Sequence, residues 1–154
     1  MPSWGEVERE APELAARARR HLDANKHKTL ATLRRDGSPR ISGIELIFVD
    51  GELWFGSMWR AVKALDLLRD PRFAVHSASD GADFQGDAKL AGIAEEVVDD
   101  AKKRAVVGGD GGAMHLFRAD ITELVVNGLG GDPPDHMVIE SWHPGRGVAT
   151  LDRY

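Results

Sequence analysis

The sequence predicts a mostly β protein, a small antiparallel barrel with short helices inserted between its strands. Six or seven apolar stretches of strand length follow one another between residues 28 and 142. Turn pairs such as Asp50-Gly51 separate neighbouring stretches and indicate hairpins. Helical periodicity is confined to short segments beside them, and this combination is typical of a small barrel.

The bulk properties of the chain indicate one folded domain over residues 1–154. Its 42% hydrophobic and 29% charged residues argue against disorder, and its length allows one continuous core. A net charge of −5 disfavours nucleic acid or an anionic membrane as a partner. The absence of cysteine excludes disulfides, thiolate metal sites and a cysteine nucleophile. No apolar run reaches the ~18 residues of a membrane span and no signal peptide is recognisable, so we expect a cytoplasmic protein.

The N-terminal region is predicted to form a helix over residues 12–24. Pro12 suits the first helical turn, and Leu14, Ala18 and Leu22 recur every four residues. Because this apolar stripe is narrow and rich in alanine, we expect the helix to lie on the outside of the barrel.

The first part of the barrel is predicted to consist of two hairpins. Residues 29–33 form a short strand, residues 41–49 a longer one, and residues 52–55 its return strand. Both alternating faces of the longer strand are apolar except at Ser42 and Glu45. A strand covered on both faces suits a barrel wall with helices or a second subunit outside it.

The hydrophobic period then becomes helical after residue 56. Ser57 is the expected N-cap, and Asp70-Pro71 is the expected stop. The apolar face of this helix is predicted to consist of Ala61, Ala64, Leu65 and Leu68.

The remaining elements are predicted from shorter patterns. Strands are expected at residues 73–77, 88–98, 116–126 and 136–142, and a short helix at residues 99–107. Residues 143–154 show no periodicity and are predicted to be an irregular tail. Residues 78–86 and the glycine-rich segments 108–112 and 128–131 are predicted to be loops, since neither glycine segment has the context of a dinucleotide-binding turn.

The polar residues between 56 and 63 form the most informative local cluster. Arg60 and Lys63 stand three residues apart on the first turn of the predicted helix, close to the Ser57 hydroxyl. Free N–H groups at a helix start, a hydroxyl and two cations could together bind a phosphate dianion. The alternative that this spacing leaves open is a pair of solvated basic residues on an exposed helix face.

Arg40 and Ser42 lie on the same face of the predicted long strand, because side chains alternate along a strand. That face could approach the phosphate cluster, and an exposed strand start is the alternative. The six histidines show no spacing typical of metal ligands, so no metal site is expected. The Gly-x-Ser-x-Gly sequence of a serine hydrolase is also absent.

Several segments, in their order and spacing, resemble the pyridoxamine 5′-phosphate oxidase-like superfamily over roughly residues 26–153. The segments that carry the resemblance are the opening hairpin at 30–40, the second hairpin at 50–57, the lysine-containing helix with its Asp-Pro-Arg step at 63–72, the central strand at 86–92, and the closing Trp…Arg segment at 142–147 with Arg153.

The resemblance implies an FMN-binding split β-barrel that pairs into a homodimer, with a cofactor in each of two interface clefts. Within the superfamily the sequence is most similar to actinobacterial flavin/deazaflavin oxidoreductases, which implies FMN or the deazaflavin coenzyme F-420. By position, the implied cofactor-binding residues are Arg40, Ile41, Ser42 and Gly43 beside the ring and ribityl chain, Phe55, Gly56 and Ser57 as backbone and hydroxyl donors, Arg60 and Lys63 at the phosphate, and Trp142 and Arg146 from the partner subunit.

The activity implied by this resemblance is transfer of a hydride to or from a small organic substrate, with the redox chemistry supplied by the cofactor. Glu45 and Leu46 stand where the true oxidase has a second basic residue, so oxidation of pyridoxamine 5′-phosphate is not expected. No residue is assigned as a catalytic acid or base. The alternatives are a non-enzymatic protein that carries or senses a flavin or a tetrapyrrole on the same fold, or a purely structural dimer.

Overall fold

Antiparallel hydrogen bonding organises the described residues into one sheet of nine strands, with four short helices. The computed structural model describes residues 2–79, 81, 83–109 and 111–154. The helices are α1 (Trp4–Glu10), α2 (Pro12–Asp23), α3 (Val62–Arg69) and α4 (Asp100–Val107). The strands are β1 (Lys28–Leu33), β2 (Pro39–Ile44), β3 (Ile47–Val49), β4 (Glu52–Met58), β5 (Arg72–His76), β6 (Asp87–Val97), β7 (Met114–Gly130), β8 (His136–His143) and β9 (Gly147–Arg153).

The strand order is β2-β1-β5-β6-β7-β4-β3, and β8 and β9 extend the sheet from β7. The long strand β7 pairs with β4 through its first half and with β8 through its second half, while β6 runs along its other edge. The register of β6 shifts at Gly92, where an added Cβ would lie 2.1 Å from the carbonyl oxygen of Asp120. Only glycine fits such a close backbone approach.

The core is continuous from the sheet to the N-terminal helices. Phe55 of β4 contacts Phe73 and Phe117 at ring-centroid distances of 5.1 and 5.7 Å. The predicted stripe of α2 is buried, and this helix packs on β6 and β7. Sequence patterns missed α1, although Ser3 and Glu6 form a capping box at its start.

The mostly antiparallel β fold with short helices is confirmed, and the part of the chain that the structure describes has nine strands in place of six or seven. Residues 41–49 do not form one strand, because β2 ends at Ile44 and pairs with β1, whereas β3 begins at Ile47 and pairs with β4. Glu45 and Leu46 therefore link the two ends of the strand order.

Two further expectations about the second half of the chain are wrong. The predicted irregular tail contains β9, whose side chains are exposed along nearly the whole strand, so it has no buried face to create periodicity. The predicted loop at 128–131 belongs to β7 as far as Gly130.

The helix after residue 56 also differs in detail from its prediction. Ser57 lies in β4 rather than at an N-cap, and α3 begins at Val62 after Ala61. Asp66 and Leu67 are buried, whereas the predicted core residues Leu65 and Leu68 are exposed. The buried face of α3 is thus rotated relative to the predicted face. It includes the charged residue Asp66, which can be buried because polar side chains donate hydrogen bonds to its carboxylate.

Residues 80 and 82 of the predicted loop 78–86, and residue 110 of the loop 108–112, lie outside the described part of the chain. Within the described part, every helix is too short or too polar to cross a membrane.

Candidate functional site

A cavity of about 760 Å³ opens where the two ends of the strand order face each other. One wall comes from β2 and the other from β3 and β4. The strand residues that line it are Gly43, Ile44, Ile47, Gly56, Ser57 and Met58, and further contributions come from His27, Glu45, Lys63, Val107, Ala113 and Met114.

Both walls of this cavity are strand edges. β2 pairs with β1 on one side, and β3 pairs with β4 only from Ile47↔Trp54 to Val49↔Glu52. Residues 56–58 therefore pair with β7 alone among the described strands. A strand edge presents backbone N–H and C=O groups, which require hydrogen-bond partners when a ligand displaces water.

Lys63, at the start of α3, contacts the β2 wall. Its Nζ donates a hydrogen bond to the carbonyl oxygen of Gly43 at 2.6 Å. The structure thus brings four of the implied site residues together in one cavity: Gly43, Gly56, Ser57 and Lys63. The binding of a phosphate by Lys63 stays a prediction.

Arg40 is directed away from this cavity, toward a buried carboxylate. Its Nε donates to Asp66 Oδ2 at 2.7 Å, and Asp66 also accepts from Thr32 Oγ1 at 2.8 Å and from Arg69 Nη2 at 3.1 Å. Burial raises the pKa of Asp66, but the hydrogen bonds from Arg40, Thr32 and Arg69 outweigh burial and hold this pKa below its ordinary value of 3.8. Arg40 therefore joins β2 to α3 and lines a separate shallow cleft on that side.

The other implied residues of β2 and β4 have different surroundings. Ile41 is 74% exposed, and the Ser42 hydroxyl is buried without a hydrogen-bond partner among the described residues. The Phe55 side chain is fully buried between Phe73 and Phe117, so Phe55 could meet a ligand only through its backbone.

Trp142 and Arg146, which the resemblance placed over a partner's cofactor, lie at opposite extremes of burial. The Trp142 side chain is 0% exposed in the core of its own chain, so its ring is not on a surface that faces a second copy. Arg146 is exposed in the turn between β8 and β9, and its role stays a prediction.

Sequence patterns missed the contribution of β7 to this region. Met114 lines the cavity, and its side chain fills the space above Gly56, where a Cβ would lie 2.4 Å from Met114 Cε. The next residue, His115, pairs with Ser57 and accepts a hydrogen bond from the backbone N–H of Arg60. The paired residues are 55 or more positions apart in the chain, and no local pattern signals that they meet.

The sequence matches no protein-family model, and no curated protein is similar to it. Solved structures share its fold at low identity. A pyridoxamine 5′-phosphate oxidase-related, FMN-binding protein from Nostoc punctiforme is 14% identical, with a TM-score of 0.63 over 90% of this chain and 94% of that one. PhzG from Burkholderia lata, in complex with tetrahydrophenazine-1-carboxylic acid, is 12% identical, with a TM-score of 0.64 over 92% and 86%. A heme-binding protein from Mycobacterium smegmatis is 16% identical, with a TM-score of 0.54 over 90% and 87%. The fold is therefore that of the FMN-binding split barrels.

Proposed function

We propose that this protein is an oxidoreductase that binds FMN or the deazaflavin coenzyme in the cavity between β2 and β4, and that acts on a small organic substrate. The observation that carries the proposal is the convergence of two strand edges and a lysine on one cavity of about 760 Å³. The FMN-binding solved structures of the same fold support it.

The residues present fit a flat polar ring with an anionic tail. An added Cβ at Gly43 would meet no atom within 4 Å, so the cavity is open above this backbone. The strand edges supply hydrogen-bond donors and acceptors for the rim of a ring, and Ile44, Ile47 and Met58 supply apolar contacts. A bound flavin or deazaflavin would supply the ring that accepts or donates the hydride.

The phosphate end of the cofactor would lie at the start of α3. Ala61 at the N-cap offers no side-chain hydrogen bond to the first turn of this helix, and its carbonyl oxygen accepts from the N–H groups of Ala64 and Leu65. An anion would therefore meet the earlier N–H groups of Val62 and Lys63. Lys63 could exchange its bond to the Gly43 carbonyl for a bond to the phosphate, and this exchange would free a backbone acceptor for the ribityl chain.

The proposal is tested by titrating the purified protein separately with FMN and with the deazaflavin coenzyme. We expect saturable binding of one of them, with a perturbed absorption band that bleaches on chemical reduction and returns when a suitable organic substrate is added. If neither cofactor binds even at a large excess over the protein, the proposed cofactor site is wrong.

Lys63→Ala is expected to weaken FMN binding about tenfold to a hundredfold, because a hydrogen bond to a charged group contributes ~1.5–3 kcal/mol. The measurement is an FMN titration followed by fluorescence, with thermal unfolding as a check of folding. Lys89→Ala is the matched control, since Lys89 is an exposed lysine on β6 away from the cavity and its loss changes the net charge equally. Equal affinities of the two variants would contradict the role of Lys63.

We further propose that the protein works as a homodimer. Met58, Trp59 and Val62, which lie within five residues of one another, and Ile41 on β2 leave 53–80% of their surfaces exposed. Exposed apolar surface of this kind is typical of interfaces. We expect sedimentation velocity to show a dimer at micromolar concentration. A purely monomeric species at this concentration would contradict the homodimer, and with it a cofactor site shared between two subunits.

A second candidate function is storage or transport of a flavin or tetrapyrrole without turnover. The titratable side chains that line the cavity are His27, Glu45 and Lys63, of which His27 and Glu45 are exposed and lie 3.8 Å from each other. No buried acid or base among the described lining residues is therefore poised for proton transfer. Tight cofactor binding without oxidation or reduction of any of a panel of substrates would favour this second function.

A further inference from the structure

The turn that joins β4 to α3 contains a residue in the left-handed region. Arg60 has a φ of +59°, a conformation that favours glycine over a long side chain. The Ala61 N–H donates to the Met58 carbonyl oxygen at 3.1 Å, which closes a four-residue turn with Arg60 at its third position. Glycine or asparagine normally occupies that position in a turn with this backbone. Arginine at this position therefore carries a conformational cost, which an interaction from outside the turn would offset.

That interaction comes from His115 on β7. The backbone N–H of Arg60 donates to His115 Nε2 at 3.1 Å, and His115 is only 3% exposed. Because Nε2 accepts this bond, the neutral imidazole carries its proton on Nδ1, which faces Glu96 Oε2 at 3.4 Å. The Trp59 ring lies parallel to the imidazole at 4.6 Å and 8°, so two successive turn residues contact the same histidine.

The conformation of this four-residue turn also determines where α3 begins. Only Ala61 and Val62 separate Arg60 from Lys63, so the backbone direction at Arg60 sets the position from which Lys63 reaches the cavity. We propose that His115 is a positioning residue that holds the Trp59–Arg60 turn and thereby places Lys63 at the anionic end of the ligand. This inference rests on the proposed function for its ligand, and His115 is not among the residues that line the cavity.

The test is a double-mutant cycle with FMN as the probe. His115→Leu removes the acceptor and is expected to weaken FMN binding roughly fivefold to tenfold, in line with the loss of one hydrogen bond. Arg60→Gly makes the left-handed turn intrinsically favourable. In the Arg60→Gly background, His115→Leu should therefore change FMN affinity less than about twofold relative to Arg60→Gly alone. His115→Gln, whose amide oxygen can accept the Arg60 N–H, should bind FMN nearly as the original chain does.

An equal loss of affinity in both backgrounds would show that His115 acts other than through the turn and would overturn the inference, as would an unchanged affinity of His115→Leu. Hydrogen exchange of the Arg60 amide provides a readout that needs no ligand. We expect this exchange to become faster in His115→Leu and to stay slow in His115→Gln. If the original chain fails to bind FMN, the proposed function fails, and unchanged amide exchange in His115→Leu would then separately overturn the role of His115.

Discussion

Replacement of Asp66 by asparagine is expected to lower the free energy of unfolding by about 3 kcal/mol, the lower end of the range for breaking a buried ion pair. The Asp66 carboxylate is almost fully buried and accepts hydrogen bonds from Arg40, Thr32 and Arg69. The neutral amide leaves the two guanidinium groups without their counter-charge. Their side chains are 28% and 29% exposed, so water relieves part of the loss.

The measurement is urea denaturation of both proteins at neutral pH. Asp70→Asn is the matched control, because Asp70 follows the same helix and pairs with Arg72 on the surface, where ion pairs contribute little. We expect the control to lose much less stability than Asp66→Asn. Similar losses in the two variants would show that the Asp66 cluster is not a structural link between β2 and α3.

The difference between Asp66→Asn and the original chain should also depend on pH. The pKa of Asp66 is lower in the folded state than its ordinary value of 3.8, so the unfolded carboxylate takes up a proton first as the pH falls. The stabilisation by Asp66 is therefore fully present above pH 3.8 and is lost below it, as the pH passes through the folded-state pKa. Urea midpoints of the two proteins should converge in this acidic range, whereas a constant difference would contradict the ionised state of Asp66.

Gly43→Leu is expected to weaken FMN binding by roughly 100-fold or more, because the new side chain would occupy the space proposed for the ring and a tightly packed site does not absorb that volume. The Gly43 backbone has no positive φ, and a Cβ there meets no atom within 4 Å, so neither the backbone nor the first side-chain atom opposes the substitution. The large effect on binding should accompany little change in the unfolding midpoint.

Gly128→Leu on β7 provides the control for this experiment. Gly128 is also a strand glycine without a positive φ, and a Cβ there likewise meets nothing within 4 Å, but it does not line the cavity. FMN titration of both variants should show near-normal affinity for Gly128→Leu. Normal affinity of Gly43→Leu would place the cofactor outside this cavity.

Local signals predicted the elements whose formation depends on nearby residues. Pro12 marks the start of α2, and Asp50-Gly51 marks the hairpin of β3 and β4. The cluster around Asp66 could not be found in this way, because its partners Arg40 and Thr32 are 26 and 34 residues away in the sequence. The only local indication of this cluster in the sequence was a charged residue, Asp66, within the apolar run of α3.

In the candidate site, too, some residues were found from local signals, whereas others depend on contacts between distant strands. Lys63 was identified from its spacing to Arg60, and the resemblance added Gly43 and Gly56, which the structure places in the same cavity as Lys63. The burial of Trp142 depends on the pairing of β8 with β7, and the contact of His115 with Arg60 depends on the pairing of β7 with β4. Such positions follow from the register of distant strands, which the sequence pattern of one strand does not determine.

The link of Glu45 and Leu46 has a consequence for the range of molecules that this cavity could admit. Ile44 and Ile47 belong to opposite walls but are only three residues apart, so their Cα atoms can separate by at most roughly 11 Å. The covalent chain thus acts as a tether at one end of the cavity. Wider ligands must therefore extend away from this tether, and lengthening the tether by inserted residues is the direct way to broaden the opening.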